Sequence, residues 1–169
     1  NYTISTEYGT LTVTDRAEKY DITVEANSGS KVYDGAPLKV EGIKTLEFTV
    51  NGNTYTVSGL TAEKTGTNVS DSGEVVITGT AVVKDKAGND VTAQFTVNRK
   101  NGQLTISKRT VKLVSASDSK PYDGTPLTNG TVTVSEGSFA PNEGASYNVT
   151  GSQTLVGSSD NEFTYTLND

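Results

Sequence analysis

Residues 30–38 read SKVYDGAPL, and residues 119–127 read SKPYDGTPL. Lys31, Tyr33, Asp34, Gly35, Pro37 and Leu38 return as Lys120, Tyr122, Asp123, Gly124, Pro126 and Leu127, at a spacing of 89 and without a gap. The residues ahead of the motif keep that spacing, with Ile22 and Val24 answered by Val111 and Leu113. A second pair of segments also matches: YTISTEYGTLTVTDR (2–16) and FTVNRKNGQLTISKR (95–109), at a spacing of 93. Seven ungapped identities, Ser30 and Ser119 included, together with a second matched segment mark a tandem duplication.

The two signals define a unit that opens with a strand and the YDG turn and closes with a hairpin ending in G-x-L-T-[VI]. A complete β repeat is expected over 17–108. A second is expected over 109–169, lacking its closing hairpin, and residues 1–16 are expected to be the closing hairpin of a preceding repeat. With no Met at its start, the chain reads as a fragment cut out of phase with its repeats. An unfinished β repeat exposes strand edges, and such edges recruit other strands. Residues 1–16 of one copy are therefore expected to complete 109–169 of the next, head to tail, with packing of 1–16 on the first repeat as the alternative.

Composition points to strands. The 169 residues are only 33% hydrophobic and 7% aromatic, with Thr, Val, Ser, Gly and Asn abundant. Thr and Val suit a pleated surface, while Gly, Asn and Asp suit turns. TLEFTVNGNTYTVSG (45–59) reads as a hairpin, with Leu46, Phe48 and Val50 alternating and Asn51-Gly52-Asn53 turning the chain. GEVVITGTAVVKD (73–85) and VTAQFTV (91–97) read as strands around a DKAGND loop (85–90), and KNG (100–102) reads as a turn. Alternation runs almost unbroken through 103–116, so a short, stiff junction without a Gly/Ser linker is expected between the repeats. No helical period persists anywhere.

In the YDG motif, Asp34 can accept from a backbone N–H two residues on, and Gly35 permits positive φ. Pro37 fixes φ at a strand start. Tyr33 and Tyr122 are expected to anchor their rings in the core and to direct their hydroxyls to polar partners. Lys31 and Lys120 are expected to face solvent.

This motif, followed by GSQTLVGSSDN (151–161) and matched with NYTI…YGTLTV (1–13), resembles the MBG-type, Ig-like repeats of large cell-wall-anchored surface proteins of Gram-positive bacteria. The resemblance covers most of the chain, although SDSGEVVITGTAVVKD (70–85) replaces the G-S-Q-T region in the first repeat. It implies an all-β fold of two Ig-like β-sandwich repeats in tandem, with β-grasp-like repeats as the alternative. It also implies an extracellular stalk or adhesin segment whose neighbours are further repeats of the same protein. The other functional reading is a module that binds host glycan or mucin through loop Tyr, Asn and Asp residues.

The residue types narrow the chemistry. With no Cys there is no disulfide or thiolate, and with no His the commonest general base and metal ligand is missing. No Ser-His-Asp or Cys-His pair can be assembled. Carboxylates are scattered singly, without a paired arrangement for glycoside hydrolysis. No enzyme, no cofactor and no catalytic residue is expected. A net charge of −6 offers no basic face for nucleic acid, and no apolar run is long enough to insert in a membrane. Asp85, Asn89 and Asp90 are oxygen donors in one loop, but without the EF-hand spacing a polar turn is expected rather than a metal site. The stretch SSDNE (158–162) is a weaker case of the same kind. A Lys–Asn or Lys–Asp isopeptide crosslink, a device of the surface proteins the chain resembles, would need a buried Lys, and Lys112 is expected to face solvent. The N-x-[ST] matches at Asn1, Asn68, Asn129 and Asn148 are expected to be accidents of a Thr- and Asn-rich chain.

Overall fold

The computed structural model describes residues 1–168, and the protein is all-β. Its strands are β1 (Tyr20–Glu25), β2 (Gly29–Val32), β3 (Leu38–Glu41), β4 (Glu47–Val50), β5 (Asn53–Gly66), β6 (Gly73–Val75), β7 (Ile77–Asp85), β8 (Phe95–Lys100), β9 (Gly102–Ser107), β10 (Val111–Ser115), β11 (Val132–Gly137), β12 (Gly144–Val149) and β13 (Phe163–Asn168). Two single-turn 3-10 segments, Val69–Asp71 and Thr92–Gln94, interrupt them. No α-helix occurs among the described residues, so the helix of a β-grasp is missing from them.

Contacts group the chain into two compact units. The first holds residues 1–28, 40–64 and 74–102, and the second holds 29–39, 65–73 and 103 onward. In the first unit, β4 and β5 form the expected hairpin, with Val50 opposite Asn53. Asn51 and Gly52 both take positive φ, as a two-residue turn matched to strand twist requires. β7 pairs antiparallel with β5, and β8 pairs parallel with β1. Alternation decides which face is buried: along β1, Ile22 and Val24 are buried while Asp21 and Thr23 are exposed. Phe95 seals this side, with its ring 5.6 Å from Tyr20 and edge-on to Tyr55 at 4.8 Å. The strand starts at Phe95 rather than at Val91. Asp90 accepts from the Thr92 N–H, and the Thr92 hydroxyl accepts from the Val83 N–H, which hold 92–94 in a turn.

In the second unit β9 pairs parallel with β2, and Leu104 and Ile106 are buried between exposed neighbours. β10 pairs antiparallel with β11, with a bulge between Lys112 and Leu113. β12 pairs antiparallel with β13 from Gly144–Asn168 to Val149–Phe163. Only Lys108, Arg109 and Thr110 separate β9 from β10.

The expected hairpin at KNG is not one. β8 and β9 are separated by Asn101 alone, and both run parallel to their partners at the same offset of 75 residues. Gly102 is a close-approach residue: a Cβ there would stand 1.9 Å from the Asn27 carbonyl oxygen. A glycine demanded by crowding and a glycine demanded by a turn look alike in sequence. The related stretch 1–16 forms no strand, and its apolar side chains are open to solvent, from Ile4 at 82% to Leu11 at 100%.

Candidate functional site

The duplicated turn is held by the Lys and Asp side chains, and its lysine departs from the expectation. Lys31 does not face solvent. Its side chain is only 18% exposed, and its ammonium donates to the Asp34 carboxylate and to the Ala36 carbonyl. Lys120 repeats the arrangement, 2.8 Å from Asp123 Oδ1 and 2.6 Å from the Thr125 hydroxyl. Each Asp also accepts a backbone N–H two residues on, Ala36 at 3.0 Å and Thr125 at 2.9 Å. Gly35 and Gly124 then turn with φ near 78° and 77°, where a side chain would be strained. The Lys ammonium, followed by the backbone N–H, holds the Asp34 carboxyl below its ordinary range. The same donors, joined by the Thr125 hydroxyl, hold Asp123 far below it. The clue in the sequence was the Lys kept three residues ahead of the Asp in both copies.

The two tyrosines part company. Tyr33 is half-buried, and its hydroxyl donates to the Glu143 carboxylate. Ala140, the one buried apolar residue beyond Ile106 among the described residues, sits beside Gly35. Arg109 completes the tie, donating to the Ser138 carbonyl at 2.6 Å, the Ser138 hydroxyl at 2.7 Å and the Tyr33 carbonyl at 3.3 Å. Within the second unit the first YDG turn is thus lashed to the β11–β12 loop. Tyr122, expected as the second core anchor, is 65% exposed. Its turn is formed, but no loop covers its ring as 138–143 covers Tyr33. Arg109 and Glu143 were missed from sequence; Arg109 had a signal, because Arg16 ends the matching segment as well.

Arg16 has a similar tying role in the first unit. Its guanidinium lies 4.0 Å from the centre of the Tyr20 ring and donates to the Tyr20 hydroxyl and the Glu18 carbonyl, while its backbone N–H donates to Gln94.

Two cavities flank the outer edge of β10 and the segment 118–121, where no ladder partner is present among the described residues. One of about 660 Å³ lies between 115–122 and 151–161, with Ala116, Lys120, Tyr122, Leu127 and Leu155 on its walls. The other, of about 930 Å³, is lined by Arg109, Val111, Phe163, Tyr165 and Leu167, among others.

The remaining candidates satisfy themselves. Asp85 accepts the Asn89 N–H and the Asn89 amide, both at 2.9 Å, and Asp90 accepts the Thr92 N–H and hydroxyl. These donors lower both carboxyls below their ordinary values, the Asn89 side chain first for Asp85 and the Thr92 hydroxyl first for Asp90. The oxygens are therefore spent on holding the loop. In SSDNE, Asn161 spans the carbonyls of Ala116 and Asn129, at 3.0 and 2.8 Å. Among the described residues no group of three or more carboxylates gathers. Lys112 pairs with Glu136 at 2.8 Å on the surface. No helix among the described residues is long and apolar enough to cross a membrane.

No family model matches the chain, and no curated protein and no solved structure matches it either.

Proposed function

We propose that the chain is a pair of tandem Ig-like repeats from the extracellular stalk of a wall-anchored Gram-positive surface protein. The role is that of a spacer, which holds a distal binding part away from the cell and performs no chemistry of its own. The observation that carries this reading is the parallel pairing of a repeat's first and last strands. Tyr20 stands beside Phe95, while the chain leaves β8 at the far end, beside Glu25. Tension applied through the two ends pulls these strands past each other, so the ladder bonds are loaded together. In an antiparallel hairpin such as β4–β5, tension from the open end breaks bonds one at a time. Parallel terminal strands are therefore the arrangement that resists stretching, and Arg109 ties the loaded strand's exit to Ser138. Stretching single molecules by their ends tests this. A discrete high-force rupture for 17–108 is expected, and low-force peeling would overturn the reading.

A second reading rests on Tyr122, exposed at the cavity that Asp118, Asn129 and Gln153 also line, a surface suited to a host glycan or mucin. Saturable binding on a glycan array, lost in Tyr122→Ala, would favour it.

A further inference from the structure

Three Asn-Gly pairs occur in the chain, at 51–52, 101–102 and 129–130. A glycine after an asparagine leaves its backbone nitrogen unshielded, and that nitrogen can attack the asparagine side chain. The structure treats the three amides differently. Asn101 is pinned at both ends, accepting the Ile77 N–H at 3.1 Å and donating to the Glu74 carboxylate at 3.1 Å. Its Gly102 is buried against Asn27. The Asn51 amide nitrogen turns to the Tyr20 hydroxyl, at 2.9 Å. The Asn129 side chain instead folds over its own glycine, with Oδ1 accepting the Thr131 N–H at 3.0 Å. The hydrogen-bonded ring closed in this way contains both the Asn129 Cγ and the Gly130 nitrogen.

We propose that Asn129 is a self-modification site, where the Gly130 nitrogen closes on the side chain to form a succinimide that water opens to aspartate or isoaspartate. The Gly130 nitrogen loses its proton and bonds to Cγ. The bond from Cγ to Nδ2 breaks, and the amide takes up that proton and leaves as ammonia. Water then adds to one of the two ring carbonyls and breaks its bond to the ring nitrogen. The sequence of steps needs no oxidant, metal or second protein.

Three contacts favour the closure. The Thr131 N–H polarises the side-chain carbonyl and stands where the oxyanion of the tetrahedral intermediate develops. Asn161 donates to the Asn129 main-chain carbonyl at 2.8 Å, which draws electron density from the Gly130 peptide and eases the loss of its proton. Asp118 Oδ2 accepts from the departing nitrogen at 3.4 Å, a carboxylate placed to relay the proton. A Cβ at Gly130 would meet no atom within 4 Å, so water has access to the ring. The two YDG turns make the contrast. Asp34 and Asp123 also precede glycines and accept the N–H two residues on, at 3.0 and 2.9 Å. A carboxylate must be protonated before it can lose water to such a ring, and Lys31 and Lys120 hold both ionised. The neutral Asn129 amide has no such protection. Opening to isoaspartate lengthens the main chain by a methylene close to Thr131, whose carbonyl accepts the Ala116 N–H at the loop end of the β10–β11 ladder. Conversion is therefore one-way, marks the age of a chain, and adds a negative charge to a net of −6.

The test stores the full chain in mildly alkaline buffer. Peptide mapping with electron-transfer fragmentation, which separates isoaspartate from aspartate, follows all three pairs. In the folded chain Asn129 is expected to convert at least about tenfold faster than Asn51 or Asn101. In concentrated urea the three rates are expected to lie within about threefold of one another. Asn161→Asp keeps the size of the side chain and removes the donor; it is expected to slow Asn129 about tenfold in the folded protein and not in urea. The wild-type comparison decides the matter whether or not that variant folds. Asn51 or Asn101 leading in the folded chain, an Asn129 rate no higher folded than in urea relative to the other two, or a folded Asn161→Asp variant that converts as fast as the wild type would each overturn the proposal.

Discussion

Leu104 and Leu11 occupy the same place in two copies of one motif, and one is fully buried while the other is fully exposed. The difference is not intrinsic to the segment. Both copies alternate apolar and polar residues, and both carry the same glycine and the same terminal arginine. What differs is the surface beside them. Segment 95–107 pairs with β1 and β2, whereas 2–14 pairs with no strand among the described residues. Extended structure in this protein is conferred by a pairing partner, as expected where strand propensity mainly measures fit to neighbours. A similar contrast in burial separates residues 17–108 from 109–168. All the buried apolar residues from Ile22 to Ile106 lie in 17–108, and Ala140 alone lies in 109–168 among the described residues.

The largest expected effect sharpens that contrast. Leu104→Ala deletes fully buried methyl groups and should lower stability by about 3 kcal/mol in denaturant unfolding. Leu11→Ala should change the stability of dilute protein by less than about 0.5 kcal/mol. Equal losses would break the comparison.

The two YDG turns supply the next test. Tyr33→Phe removes a hydroxyl that donates to Glu143 and should be destabilising by about 1 kcal/mol. Tyr122→Phe, at a ring 65% exposed, should leave stability unchanged within error. The smallest effect is the pH response the turns share. Asp34 and Asp123 have folded values below the ordinary 3.8, so each contributes stability that is present above 3.8. That contribution is lost as pH falls from there through the folded values. Because both carboxylates are exposed, it should shrink further in salt. Carboxyl chemical shifts followed by NMR should show both aspartates still ionised at pH 3.8, and titration at the ordinary value would contradict the Lys–Asp pairing.

Much of the local structure could be read from residues alone. The alternation through Leu46, Phe48 and Val50 and the Asn51-Gly52 turn gave the β4–β5 hairpin, and the Asp-Gly pair gave the YDG turns. The errors came where a residue's job is set by something distant in the chain. KNG reads as a turn because the crowding of Gly102 against Asn27 is a contact 75 residues away. Tyr122 reads as a core anchor because Tyr33's partner, Glu143, lies in a different part of the repeat pattern. Lys31 reads as solvent-facing because an isolated lysine usually is, although its fixed distance from Asp34 in both copies holds the answer.

The difference between 17–108 and 109–168 is most directly measured by native-state hydrogen exchange, residue by residue, on dilute chain. The amides of β1, β8 and β9 should be protected by several orders of magnitude more than those of β10, β12 and β13, since only the first three strands carry buried residues. Uniform protection across these strands would contradict the contrast between the buried strands of 17–108 and the more exposed strands of 109–168.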